Sequence, residues 1–210
     1  MPRLVLFDNP VSSNALKVRF LLAELELDHE RREIPLARPR PGWYLEINPL
    51  GGVPSIDDDG FRLAESHAIL RYLARRQGRA DLYPAAAGEQ ARVDEFLDRF
   101  NTGIRAAFFR HEVPALGYSR DKGGFNAVPP DPERAAVVEQ EIRPTLRLLD
   151  ELVSPDAAVL GRFTLADCAL APVLFRTTVT GLDLSPYPTL EALRASLTGR
   201  PAFGRADPVG

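Results

Sequence analysis

The segment from Asn48 to Ala74 reads NPLGGVPSIDDDGFRLAESHAILRYLA, and its order constrains the chain more than any other stretch. Proline follows a β-branched residue at Val53-Pro54, and a proline has no N–H to give to a ladder. The short apolar run Ser55-Ile56 comes next, an acidic turn closes on Gly60, and a second strand follows. Glu65-Ser66 then opens a helix. The order is turn, hairpin, helix. Two features suited to an anion meet here: the unpaired N–H groups of a helix start, with the Ser66 hydroxyl among them, and backbone left open for an added strand beside Pro54. The pair suits a small extended peptide that carries a carboxylate.

The residues before this segment supply the rest of a layer. Arg3-Leu4-Val5-Leu6-Phe7, ended by Asp8-Asn9-Pro10, reads as a buried strand and a turn. From Ser12 the period becomes helical, through Leu16 or Val18, Leu21 or Leu22, and Leu25, with Ser12, Ser13 and Asn14 all able to cap. His29 to Leu36 alternates weakly and makes a second strand, so the unit is β-α-β with parallel strands. Ala37 to Ile47 contains Pro39, Pro41 and Gly42, which keeps any helix there short or irregular. β-α-β followed by β-β-α predicts an α/β, thioredoxin-like domain with helices on both faces of a small mixed sheet. Thioredoxin carries C-x-x-C at the start of its first helix; this chain has Ser12 and Ser13 there, which excludes dithiol exchange.

Strand signals are expected to end at Gly78 to Gly88, a run of small residues with Pro84. The predicted division is a first domain over 1–80 and an all-α domain over 88–210. Val93, Phe96 or Leu97, Phe100, Ile104 and Ala107 or Phe108 form one long apolar stripe. A loop from Gly117 to Pro132 holds Gly123-Gly124, and loops of that length tend to be functional. The next helix presents Val138, Ile142, Leu146 and Leu149, with Pro144 expected to kink it and Pro172 to do the same later. In Phe163-Thr164-Leu165-Ala166-Asp167, Thr164 is placed to cap a helix while Asp167 reaches back to it, with Phe163 and Cys168 placed as a staple.

Composition excludes several classes. The 210 residues are 45% hydrophobic and 26% charged, an ordinary globular balance, and 26 basic against 29 acidic residues give a net charge of −3. No global basic field invites nucleic acid or an anionic membrane. A single Cys cannot form an internal disulfide or a redox pair, no His, Asp and Glu spacing suggests a metal, and no apolar run reaches the roughly 18 residues of a membrane span. A cytoplasmic protein is expected.

The runs NPLGGVPSI and LAESHAILRYLA, together with FTLADCALAP in the second half, resemble the glutathione S-transferase family, in its serine-using theta, delta and zeta classes, across both domains. The resemblance implies that the Val53-Pro54 peptide is cis, that the Val53 backbone pairs with the cysteinyl part of glutathione, and that Glu65 and Ser66 grip its γ-glutamyl end. It also implies a hydroxyl donor to the glutathione thiol, at Ser12 by the spacing to Val18-Arg19, or at Ser13 one position later. No tyrosine lies near the end of the first strand to replace them. Gly51-Gly52 departs from many relatives, which have a longer side chain just before Val-Pro; Arg38 or Arg40 is then available for the glycyl carboxylate, or is simply solvated. The acceptor site belongs in the cleft between the domains, with Phe108, Phe109, His111 and Tyr118 as candidates and the Gly-rich loop as a lid. Glutathione is the implied cosubstrate and a small hydrophobic electrophile its partner, in conjugation, isomerisation, dehalogenation or reduction. A homodimer is implied too, with Asp94 and Arg99 flanking the apolar stripe of the long helix. The alternative is a non-catalytic binding module on the same fold.

Overall fold

The computed structural model describes residues 4–119, 126–154 and 158–206. Its centre is Leu4–Asp8 (β1), buried at every position, which takes the middle of a four-stranded sheet of order β2-β1-β3-β4. Ser13–Glu24 (α1) crosses over to Glu30–Glu33 (β2), which lies parallel to β1 with Val5 opposite Glu30 and Asp8 opposite Glu33. Charged side chains suit this outermost strand, because they discourage further pairing. Gly42–Leu45 (α2) is a single turn, as the prolines around it require. Ser55–Asp58 (β3) pairs antiparallel with β1 on one side and with Phe61–Ala64 (β4) on the other, and Ser66–Arg76 (α3) follows. The mixed sheet and its helices are the thioredoxin-like arrangement that the order of periods implied.

Beyond residue 86 the chain is helical: Ala87–Arg99 (α4), Arg105–Leu116 (α5), Pro132–Leu152 (α6), Leu165–Thr180 (α7), Pro188–Thr198 (α8) and Pro201–Arg205 (α9). Two features depart from expectation. The long apolar stripe is interrupted by a π-turn over Phe100–Ile104, where the Arg105 N–H bonds to the Phe100 C=O five residues back. Asn101, Thr102 and Gly103 are poor helix formers, so the regular ladder is weakest there. Strand pairing also does not end near residue 80: Tyr118–Ser119 (β5) and Asn126–Ala127 (β6) form a short antiparallel ladder between α5 and α6. It begins just after Gly117, whose positive φ of 70° ends α5 and where a Cβ would meet the Val128 carbonyl oxygen at 2.1 Å. Gly123-Gly124 lie outside the described residues. Pro144 and Pro172 sit inside α6 and α7, and both helices continue past them.

One core joins the two halves. α7 is buried from Leu165 to Leu174 and packs against α1, α4, α5 and α8. A helix apolar on all sides belongs at the centre of a domain. Phe20 of α1 meets Phe163 and Phe203 edge-on, at 5.8 and 5.1 Å between ring centres. The cap of α7 is the reciprocal one expected: Asp167 Oδ2 accepts the Thr164 N–H at 2.7 Å, and Thr164 Oγ1 accepts the Ala166 N–H at 3.3 Å. Asp167 Oδ1 also accepts the Val159 N–H at 2.8 Å, tying down the preceding turn. Cys168 is fully buried.

Candidate active site

The site is built where β1 ends. Asn9 locks the exit turn, its Nδ2 donating to the Ile34 carbonyl at 2.9 Å and its Oδ1 accepting the Val11 N–H at 3.2 Å. The chain then enters α1 with Ser12 as N-cap, its Oγ accepting the Ala15 N–H at 3.2 Å. A hydroxyl that accepts from its own helix keeps its O–H for another acceptor. Ser13, the next residue, is buried, and its Oγ accepts from Arg105 Nη2 of α5 at 2.9 Å.

Facing these serines are Gly52 and Val53. The Val53–Pro54 peptide is cis. The Gly52 carbonyl is held by the Tyr44 hydroxyl and by Asn48 Nδ2 at 2.8 Å, whereas among the described residues the Val53 N–H and C=O take part in no hydrogen bond. Gly51 has φ +64°, and a Cβ there would approach Arg40 Cγ to 2.8 Å. Arg40 is therefore a strut, donating to the Gly51 carbonyl at 2.8 Å, to the Ala37 carbonyl at 3.2 Å and to that of Pro35. A side chain is excluded at Gly51, where the space is already filled, but not at Gly52 just before Val53-Pro54, where a Cβ would meet only Asn48 Nδ2 at 3.8 Å. Arg38 is exposed and reaches the Leu50 carbonyl at 3.4 Å.

Between the two halves opens a cavity of about 720 Å³ whose wall includes Ser12, Ser13, Val53, Arg105, Phe109 and Tyr118. Pro54, Glu65, Ser66, Phe108 and His111 are not part of that wall. Phe108 and His111 are buried in the helical core, and burial holds the His111 imidazole below its ordinary pKa. Only Phe109 and Tyr118, of the four expected acceptor-site residues, face the opening. Glu65 and Ser66 lie next to Pro54 through the sheet: Ser55 pairs with Ala64, so Pro54 and Glu65 stand at neighbouring ends of paired strands. Glu65, rather than Ser66, is the N-cap of α3, and it adopts φ +70°, a strained conformation for a residue with a Cβ. No glycine or asparagine at 65 betrays this in the sequence.

The second domain contributes polar groups where aromatic ones were expected. Arg105 and Glu112 lie on the cavity face of α5, and Arg176 of α7 joins them, its Nε 3.1 Å from Glu112 Oε2 and its Nη1 donating to the Val11 carbonyl at 3.3 Å. Arg105 Nη1 is 3.9 Å from Glu112 Oε1. Two sequence signals mark them: Arg105 and Glu112 are one heptad apart, hence on one helix face, and Arg176 interrupts an otherwise apolar run.

Known proteins share this arrangement. The sequence models of the glutathione S-transferase N-terminal domain and C-terminal domain match residues 11–76 and 131–203. Glutathione S-transferase GstB of Escherichia coli (strain K12) is 31% identical over 201 residues, with 91% of each chain covered. The chain belongs to the glutathione S-transferase family. A probable maleylacetoacetate isomerase 2 of Drosophila melanogaster is 26% identical over 204 residues, covering 94% of this chain and 84% of that protein. The theta class glutathione S-transferase from Xanthomonas axonopodis pv. citri, crystallised with glutathione bound, superposes with a TM-score of 0.84 at 26% identity, over 98% of this chain and 97% of that one. This transferase is a glutathione-dependent enzyme with glutathione as cosubstrate. Among the described residues no cluster of His, Cys, Asp and Glu suits a metal, and no helix is long and apolar enough to cross a membrane.

Proposed function

We propose that this transferase adds glutathione to a small electrophile, with Ser12 as the donor that favours the thiolate. The observation that carries this reading is the position of Ser12: N-cap of α1, in the cavity wall across from Val53, with its O–H left to donate. Ser13 accepts from Arg105 and so also keeps its O–H, but it is the less suitable of the two because it is buried where Ser12 is partly exposed. A thiol near the reference of ~8.5 is only about 3% ionised at pH 7, and lowering it by two units needs roughly 2.7 kcal/mol. A charge-assisted hydrogen bond supplies about 1.5–3 kcal/mol and a helix N-terminus about 0.3–1. The two together suffice.

Glutathione itself fits the remaining parts. The unpaired Val53 backbone suits an extended peptide, and the start of α3, with Ser66 and the strained Glu65, suits its γ-glutamyl end. Phe109 and Tyr118 provide apolar surface for the acceptor. We also take the protein to be a cytoplasmic homodimer, as the family resemblance suggests.

The test separates binding from chemistry. Ser12→Ala is expected to bind glutathione nearly as wild type by calorimetry, to raise the pKa of the bound thiol by about one to two units, and to lower turnover of an activated aryl halide at neutral pH about ten- to a hundredfold. The deficit should close as pH rises, because solvent then ionises the thiol unaided. Ser66→Ala is expected to do the reverse, weakening binding about tenfold. If Ser13→Ala abolishes the thiolate absorbance and Ser12→Ala does not, the donor is the other serine.

A further inference from the structure

The first turn of α1 is held from the second domain. Arg176 donates to the Val11 carbonyl, but Arg105 reaches further, to the Ser13 hydroxyl beside Ser12. It gets there because of the π-turn. The Arg105 N–H bonds to Phe100 rather than to Asn101, which inserts one extra residue and turns everything downstream by about 100° relative to an unbroken helix. In a continuous α-helix of the same length the Arg105 side chain would leave the axis about 100° from its present direction. Its guanidinium is also fixed from the side, 4.6 Å from the centre of the Phe109 ring. A π-turn is the least regular part of the long helix, and here its effect is to deliver one cation to one place.

We propose that Arg105 is a further functional residue of this transferase: its guanidinium, held against the start of α1 by Ser13, supplies the positive field in which the bound thiol ionises. The inference rests on the reading above, in which the sulfur lies at Ser12. Arg105 acts through space and through Ser13, so it is a positioning residue rather than a hydrogen-bond donor to sulfur. The other charges around that point are known. Glu112, on the same helix, opposes Arg105 from 3.9 Å, and its other oxygen is engaged by Arg176. Glu33 faces the cavity from β2, and Arg38 and Arg40 from the loop before α2, with Arg40 tied to backbone carbonyls. Lys17, buried inside α1, has its own charge disfavoured by burial and then by Arg105. Arg19 of α1 donates to the Pro10 carbonyl at 3.0 Å and Arg176 to that of Val11, both just before the serines, whereas Arg105 is bonded to a serine hydroxyl itself.

Titrating the thiolate absorbance of bound glutathione tests this directly. Arg105→Gln is expected to raise the thiol's pKa by about one to two units, and to lower kcat/KM about ten- to a hundredfold at pH 6.5 but little at pH 9. Binding of glutathione measured at pH 6, where the thiol is protonated in both forms, should change less than threefold. Arg105→Lys keeps the charge and should recover at least half of the shift. Glu112→Gln removes an opposing negative charge, so the thiol's pKa should fall. A wild-type titration curve for Arg105→Gln overturns the proposal, as does a rise for Glu112→Gln. Should Arg105→Gln fail to fold, the Lys and Glu112 variants decide by the same titration. A wild-type enzyme with no thiolate band at any pH would instead sink the Ser12 reading, and this inference with it.

Discussion

Lys17 and His67 show how a residue's chemistry is set by what it touches. Lys17 is fully buried, its amine 3.3 Å from His67 Nε2 and 4.2 Å from the centre of the Phe100 ring. Burial, and then the neighbouring Lys17, push the His67 pKa down to about 3. The consequence for stability has a definite sign. Between the ordinary histidine value of ~6.5 and about 3, the unfolded chain takes up a proton that the folded one refuses, so stability falls as pH falls through that window. Relative to pH 7 the loss at pH 4.5 is roughly 2–3 kcal/mol from this site. His67→Gln should therefore flatten the acid side of the stability curve in urea titrations at several pH values; parallel curves for the two proteins would refute it. The sequence marks His67 as an ordinary, partly buried residue and does not mark Lys17 at all, because Ser13 and Asn14 lie one turn before that lysine and only the arrival of α3 and the π-turn closes it in. Arg40 is similar. Its pairing with three backbone carbonyls depends on the shape of a loop, and a loop's shape is not written in any period.

At the scale of elements, legibility follows regularity. β1, α1, β3, β4, α3 and the cap of α7 each announce themselves by a period, a turn composition or a fixed spacing. The π-turn and the β5–β6 ladder do not, since each depends on a competition that neighbouring elements decide. The α7 cap permits a graded prediction. Thr164→Ala removes one acceptor and should cost about 0.5–2 kcal/mol. Asp167→Ala strands two backbone N–H groups, those of Val159 and Thr164, and should cost more, about 2–4 kcal/mol. Denaturant midpoints at constant m-value would check the order; equal losses would mean that the tie to Val159 carries no energy.

For the whole molecule, the proposed division into 1–80 and 88–210 has to be set beside a core that crosses it, with Leu6, Phe20 and Leu70 in one cluster with Leu97, Leu170 and Phe203. The charges first suspected of marking a dimer face are used within the chain: Asp94 accepts from Arg71 at 2.7 Å and from Tyr83, and Arg99 pairs with Glu95. Large apolar side chains remain exposed on the first domain at Trp43, Phe61 and above all Leu50, which is 76% exposed. If the homodimer uses them, sedimentation should give a dimer for the wild type at micromolar concentration and a monomer for Leu50→Glu. A monomeric wild type would end that proposal.

The sequence alone determined the fold class, the order of strands and helices in the first domain, a helix start within Ser12 to Asn14, and the position of Val53-Pro54 before a strand. Those properties are local, each resting on period, cap or turn chemistry within about a dozen residues. Tertiary structure alone decided which of Phe108, Phe109, His111 and Tyr118 would face the cavity, what filled the space at Gly51, and which charges would meet at the first turn of α1. Those are decided by the rotation of one helix against another, and a single extra residue in a π-turn is enough to turn every side chain after it by about 100°.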